Sequence, residues 1–177
     1  MELEIVPYDP TWPDAFNAER ERISAVLGDL AVRIEHHGST SVPGLAAKPV
    51  IDIQVSVRRL LPIEEYVGLL AKIGYIHVPH EDDSFCPFFH RPATWTHSHH
   101  VHLVQSGGAE ERRTLAFRDY LRENPNVAQE YEKLKRGLVT LHSGATFNSR
   151  EAYADAKTAF VTRITKEALK AGYPRSS

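Results

Sequence analysis

The stretch His36-His37-Gly38-Ser39-Thr40-Ser41, continued by Lys48-Pro49-Val50-Ile51-Asp52-Ile53-Gln54-Val55, decides how the chain folds. Before it, Ala31 to His36 reads as a short strand, with Val32 and Ile34 alternating against Arg33 and Glu35. After it, Val50 to Val57 is a β-branched run of the kind found in buried strands. Between them lies a loop, Gly38 to Pro49, punctuated by Gly, Ser and Pro. A strand that ends in Gly-Ser presents backbone N–H groups with no Cβ to block a ligand, which suits phosphate oxygens. The hydroxyls of Ser39, Thr40 and Ser41 add donors, and Lys48 adds positive charge. Asp52, on the returning strand, is then a metal ligand or base. The same residues also make ordinary surface turns, and their spacing alone leaves both readings open.

Working outward, Asp9-Pro10-Thr11-Trp12-Pro13 opens a helix whose Ala15, Phe16, Ile23, Val26 and Leu27 recur at helical spacing, and Gly28-Asp29 closes it. Pro62 opens a second helix through Lys72, ended by Gly74. Tyr75 to Val78 is a third strand. Phe85 to Arg91 is a fourth, crowded by Pro87 and Pro92. His99 to Gln105 is a fifth. Beyond Gly107-Gly108 the composition turns helical: Glu110 to Glu123, Val127 to His142 and Arg150 to Ala171, broken at Asn124-Pro125 and Ser143-Gly144. The expected fold is α/β (α+β), a mixed sheet flanked by helices with a helical C-terminal third. It is expected to be one unit over 1–177, mixed through residue 108 and helical over 109–172.

The bulk composition narrows the function classes. Apolar residues make up 42% and charged residues 25% of 177, as in ordinary globular proteins. No apolar run approaches the roughly 20 residues that span a bilayer, so no membrane role is expected. The acidic start Met1-Glu2-Leu3-Glu4 is unlike a signal peptide, and the single cysteine, Cys86, suits a reducing compartment; a cytoplasmic location is expected. The net charge of -2 argues against nucleic acid and for a small-molecule or protein partner, and the loop chemistry makes a small phosphorylated molecule the expected one.

Histidine is abundant, ten in all, with a cluster at Thr96-His97-Ser98-His99-His100-Val101-His102-Leu103. On a strand, His100 and His102 share one face, while His97, His99 and Val101 face the other way. Two imidazoles at this spacing, with Asp52 as third ligand, would form a two-His-one-carboxylate site for Zn²⁺, Mn²⁺ or Fe²⁺ in preference to Mg²⁺. Partly exposed strand histidines are the alternative. His36 and His37 must point to opposite faces, and His36 either supports the loop or is a satisfied core histidine. Arg91 can meet a phosphate or carboxylate. Arg118 and Asp119 read equally well as an exposed salt-bridged helix face. Lys135 or Lys157 can face the cleft, whereas Tyr131 and Tyr153 are expected between helices, and Cys86 is expected to be buried.

The chain resembles the GrpB (UPF0157) family. The residues that carry the resemblance are Val6-Pro7-Tyr8-Asp9-Pro10-Thr11-Trp12-Pro13 and above all Glu35 to Ile53. His100 to Val104, Leu115 to Arg122, Ala128, Tyr131, Leu134, Lys135 and Tyr153 to Lys157 also fit. The family looks like a branch of the nucleotidyltransferase superfamily, in which a Gly-Ser turn holds a triphosphate and an Asp-x-Asp pair with a further carboxylate binds two Mg²⁺ ions. The resemblance implies that Gly38-Ser39 is the turn and Asp52 the first carboxylate. Gln54 stands at the second, which puts two-metal chemistry in doubt.

Three functions follow. One is metal-dependent group transfer, with a nucleoside triphosphate as candidate substrate; Asp52, Ser39 and Lys48 are catalytic, and Gly38, Ser39, Thr40, Ser41, Lys48, Arg91 and Arg118 hold the ligand. Its metal ligands are Asp52, His100 and His102, and the ion is Mg²⁺, Mn²⁺ or Zn²⁺. Another is a ligase-like or hydrolytic activity with a transition metal. The third is a non-catalytic accessory domain, as in family members fused to dephospho-CoA kinase.

Overall fold

The computed structural model describes residues 4–141 and 147–175, with no side-chain account of 147–151. The first helix, α1 (Trp12–Leu27), starts where the Asp9 carboxylate accepts bonds from both the Thr11 N–H and its hydroxyl. Phe16, Ile23 and Leu27 form its buried stripe, as the spacing predicts. Gly28, with φ +52°, ends it. Strand β1 (Ala31–His37) follows, then a turn of 3₁₀ helix at Ser39–Ser41 and strand β2 (Ile51–Val57). Helix α2 (Ile63–Ala71), β3 (Ile76–Val78), β4 (Phe88–Arg91) and β5 (His99–Gln105) complete the mixed half. The chain then forms α3 (Ala109–Glu123), α4 (Pro125–Leu141) and α5 (Phe147–Lys170). The predicted break at Ser143-Gly144 lies outside the described residues.

The strands form one sheet in the order β1-β2-β5-β4-β3, with β2 and β5 parallel and the other pairs antiparallel. The sheet divides two kinds of chemistry. On one face Ile53, Val55, Val57, Phe89, Val101 and Leu103, all fully buried, pack against α1 and α2. That alternation of apolar residues is what a half-covered strand shows in sequence. The opposite face carries His37, Asp52, Gln54, His100 and His102, and the C-terminal helices cover part of it.

Three expectations need correction. Val32 is 44% exposed, because a register shift between Ala31 and Arg33 breaks the alternation and puts Ala31 and Ile34 against the core. The fourth strand is only Phe88–Arg91: the Pro87 carbonyl still accepts from the Leu103 N–H at 3.0 Å, but Pro87 has no N–H to extend the ladder further. Arg118 is not on an exposed helix face. It is 7% exposed and ties α3 to β1 by donating to Glu35 Oε2 at 2.7 Å and to the His36 carbonyl at 3.0 Å, with Asp119 as a further partner at 2.8 Å.

No described helix is long and apolar enough to cross a membrane. Replacing Arg118 by Ala should cost about 3 kcal/mol, because Glu35 and the strand carbonyl lose a buried partner. Urea unfolding would read this directly; a cost near zero would show that Arg118 adds nothing to the clamp between α3 and β1.

Candidate functional site

The ladder itself assembles the polar face. His37 of β1 pairs with Asp52 of β2, and Asp52 pairs with His100 of β5, so three adjacent strands bring these side chains into one row. His102 lies one step further along β5. Its Nε2 is 3.9 Å from Asp52 Oδ1, and His100 Nδ1 is 3.3 Å from the same oxygen. Asp52 is backed by Gly38, whose backbone (φ +70°, ψ -174°) suits glycine almost alone. A Cβ at Gly38 would overlap the Asp52 carboxylate. The Gly-Ser turn therefore makes room for Asp52.

The hydroxyls of that turn divide. Thr40 and Ser41 are buried, 1% and 4% exposed, and face inward. Thr40 donates to the Val50 carbonyl at 3.2 Å and meets His36 Nε2 at 2.9 Å, while Ser41 donates to the Gly38 carbonyl at 2.5 Å. They fix the loop and are not placed to hold a phosphate. His36, stacked on Phe16 at 4.9 Å, belongs to the same internal support. Ser39 alone of the three lines the cleft.

That cleft has a volume of about 340 Å³. On the sheet side it is lined by His37, Gly38, Asp52, His100 and His102, and on the helical side by Tyr131 and Lys135 of α4 and Tyr153 and Lys157 of α5, with Lys48 at its edge. Lys135 is 2% exposed, donates to the Ala46 carbonyl at 2.7 Å and lies 4.8 Å over the Tyr131 ring. Lys48 and Lys157 each approach the Tyr153 ring at 5.1 Å. The expectation that Tyr131 and Tyr153 only pack between helices is therefore incomplete, for both also line the cleft.

Arg91 is not part of this site. It projects from the other face, donates to Glu19 Oε2 at 3.0 Å and meets His99 at 3.2 Å. Arg118 is likewise occupied within the fold. Gln54 is 1% exposed and donates to the Glu111 carbonyl at 3.4 Å, so α3 closes over the residue that stands at the second carboxylate position of the pattern the sequence resembles. His97 precedes β5 and escapes the strand alternation: it stacks on His90 at 3.8 Å and bonds His100 Nε2 at 3.1 Å. Cys86 is only partly buried, 3.9 Å from His102 Nδ1.

The electrostatics fit a cation on the sheet side. Burial pushes the Asp52 carboxyl up, but the neighbouring imidazoles of His100 and His102 outweigh it and hold the group well below the usual carboxylate range. Burial pulls His37 down to about 3, so its imidazole is neutral. Burial also acts on His102, yet its contacts with Asp52 and Cys86 hold it up at about 9. His37, Asp52 and His102 offer ligand atoms within 4.8 Å of one another. The buried Nε2 of His37 has no hydrogen-bond partner among the described residues. A neutral, unpartnered imidazole beside a carboxylate is the donor set a transition metal takes. The fit thus favours His37 over His100, whose two nitrogens face Asp52 and His97.

His37 was legible in sequence only as a residue opposite in facing to His36. A long loop between β1 and β2 leaves their register, and hence its pairing with Asp52, undetermined.

Residues 2–167 match the GrpB protein family. The chain belongs to the GrpB family. Among its relatives, a UPF0157 protein of Halalkalibacterium halodurans is 40% identical over 94% of this chain and 82% of its own length. The crystal structure of the conserved protein GrpB from Enterococcus faecalis is similar with a TM-score of 0.83 at 36% identity, covering 94% of this chain and 98% of that one. A dephospho-CoA kinase of Mycolicibacterium paratuberculosis is 32% identical over 76% of this chain, a match that takes in 39% of the kinase. The mixed α/β fold is thus that of a GrpB-family protein.

Two predictions follow from the geometry. Gly38→Ala should destabilise by about 1–3 kcal/mol through its backbone strain, and should displace Asp52 as well. Urea unfolding gives the first, and a loss of the His100–Asp52 contact in the NMR spectrum gives the second. Lys135 concerns pH. Burial, with Lys157 and Lys48 nearby and only Glu132 opposing, lowers it from its ordinary 10.5 to about 7. Between these values the unfolded chain holds a proton that the folded chain lacks, so this lysine makes stability rise with pH. Unfolding midpoints at both ends of the window should therefore show a smaller rise for Lys135→Met than for the wild type.

Proposed function

We propose that the cleft is a working site that binds a phosphorylated small molecule and performs metal-dependent group transfer on it, after the manner of the nucleotidyltransferase superfamily that the sequence resembles. The observation that carries this reading is a single cavity with Asp52, His37 and His102 on the sheet side, Lys135 and Lys157 on the helical side, and Lys48 from the loop before β2. A carboxylate with imidazoles suits a divalent ion, and convergent lysines suit phosphate oxygens.

His37, Asp52 and His102 would hold the ion, which would supply Lewis-acid polarisation of a phosphoryl oxygen. The burial of Gln54 favours one ion over two, and imidazole donors favour Zn²⁺ or Mn²⁺ over Mg²⁺. Ser39, which lines the cleft, can donate its hydroxyl to the substrate, and Lys48 neutralises charge at the cleft edge. His100 holds Asp52 in place through Nδ1. Placement and charge stabilisation supply most of the catalysis in reactions of this class. A nucleoside triphosphate is a candidate substrate.

A second reading, an accessory or ligand-binding domain without chemistry, is favoured by the match to part of a dephospho-CoA kinase and by the loss of the second carboxylate position.

Thermal unfolding with Mg²⁺, Mn²⁺ or Zn²⁺, each with and without ATP, GTP, CTP and UTP, separates the two. A ligand at 100 times its Kd stabilises the fold by about 2.7 kcal/mol. Mn²⁺ or Zn²⁺ should raise the melting temperature of the wild type and of His100→Ala, but not of Asp52→Ala or His37→Ala. A wild type that no metal and no nucleotide stabilises would leave the accessory reading in place.

A further inference from the structure

The cleft is rich in cationic side chains, drawn from the loop before β2 and from the two C-terminal helices. Three lysines, Lys48, Lys135 and Lys157, line a cavity in which Asp52 is the lone carboxylate among the described lining residues. Clustering like charges in a half-closed cleft is costly unless something opposes them. The cost is visible: burial lowers the pKa of both Lys135 and Lys157, and for Lys135 the repulsion of Lys157 adds to it.

A second observation points to a ligand. Tyr153 lines the same cavity and is 1% exposed, yet its buried hydroxyl has no hydrogen-bond partner among the described residues. An orphaned buried hydroxyl costs about 1–3 kcal/mol, so native proteins usually give it a partner. Its ring also has the ammonium groups of Lys48 and Lys157 near it, each 5.1 Å from the ring centre. The phenol and both ammonium groups therefore belong to one small volume.

We infer that Tyr153, Lys157 and Lys135 of the helical wall, with Lys48 reaching them from the loop before β2, form an anion subsite for the dianionic phosphate end of the substrate, away from the Gly38-Ser39 turn. The inference rests on the reading of the cleft as a site for a phosphorylated ligand, and it relocates the phosphate. The turn is filled differently: Thr40 and Ser41 point inward, and the space above Gly38 is taken by Asp52. At the subsite Tyr153 and the lysines are donors and cations, which a dianion would satisfy together. A monoanion such as acetate offers fewer acceptors and half the charge.

The test is calorimetric titration of the full chain with inorganic phosphate and pyrophosphate in EDTA at low salt, with acetate as control. The wild type should bind both phosphate probes without metal and more tightly than acetate. Tyr153→Phe removes only the orphaned hydroxyl, so it should weaken phosphate by about tenfold, as loss of a hydrogen bond to a charged group does, while leaving thermal stability unchanged or higher. Lys157→Gln should weaken it at least as much. Absence of phosphate binding at millimolar concentration, acetate bound equally well, or wild-type affinity in both variants would each overturn the subsite. A parallel Mn²⁺ titration separates this from the metal reading. Phosphate binding without Mn²⁺ binding upholds the subsite and removes the metal, whereas Mn²⁺ binding without phosphate binding upholds the metal and removes the subsite.

Discussion

Everything in the cleft depends on the contact between the Asp52 carboxylate and the backbone of Gly38. The aspartate occupies the space where a side chain at position 38 would be, and the glycine alone tolerates the φ of +70° that brings β1 around into the 3₁₀ turn. That single steric arrangement holds a carboxylate at the start of β2, and the sheet register then surrounds it with imidazoles from the strands on either side. Thr40, Ser41 and His36 hold the turn from beneath. The small polar residues after Gly38 are thus mostly braces for the carboxylate.

The sheet separates two polar systems that look alike in sequence. On the α1 face, Glu19 accepts bonds from Tyr75, Arg22 and Arg91, so that its carboxylate is paired with cations and a phenol within the fold. On the other face the carboxylate is flanked by a histidine without a hydrogen-bond partner among the described residues, and across the cavity stand lysines that repel one another. A satisfied network stabilises a fold, while incompletely satisfied buried groups mark places where a ligand completes the set. What distinguishes the Asp52 face is that its histidines and the lysines line one cavity, whereas Arg91 and Arg118 are engaged by carboxylates within the fold.

The covering of Gln54 by α3 gives the cleft its chemical character. A second metal needs a second anionic ligand beside the first, and the helix backbone occupies that place. What remains is the single carboxylate of Asp52 on the sheet side of a cavity that lysines also line. This arrangement is compatible with group transfer on a phosphorylated molecule and also with its simple capture, and the difference between them lies in the ion.

The sequence by itself determined the elements, because hydrophobic periodicity and Gly/Pro punctuation act locally: α1, β2, α2, β5 and the helical C-terminal third all lie where the pattern puts them. It also singled out Gly38, Ser39, Lys48, Asp52, His100 and His102, since a Gly-Ser turn, a carboxylate two positions into a buried strand and paired strand histidines are short-range signals. Register and helix packing were beyond it. Whether His37 reaches Asp52 depends on a strand pairing across a long loop, and whether Arg91 or Lys157 enters the cleft depends on which sheet face and which helix meet. Those choices are set by the simultaneous burial of the two apolar faces, a property of the whole chain, so only the tertiary structure could place the lysines opposite the histidines.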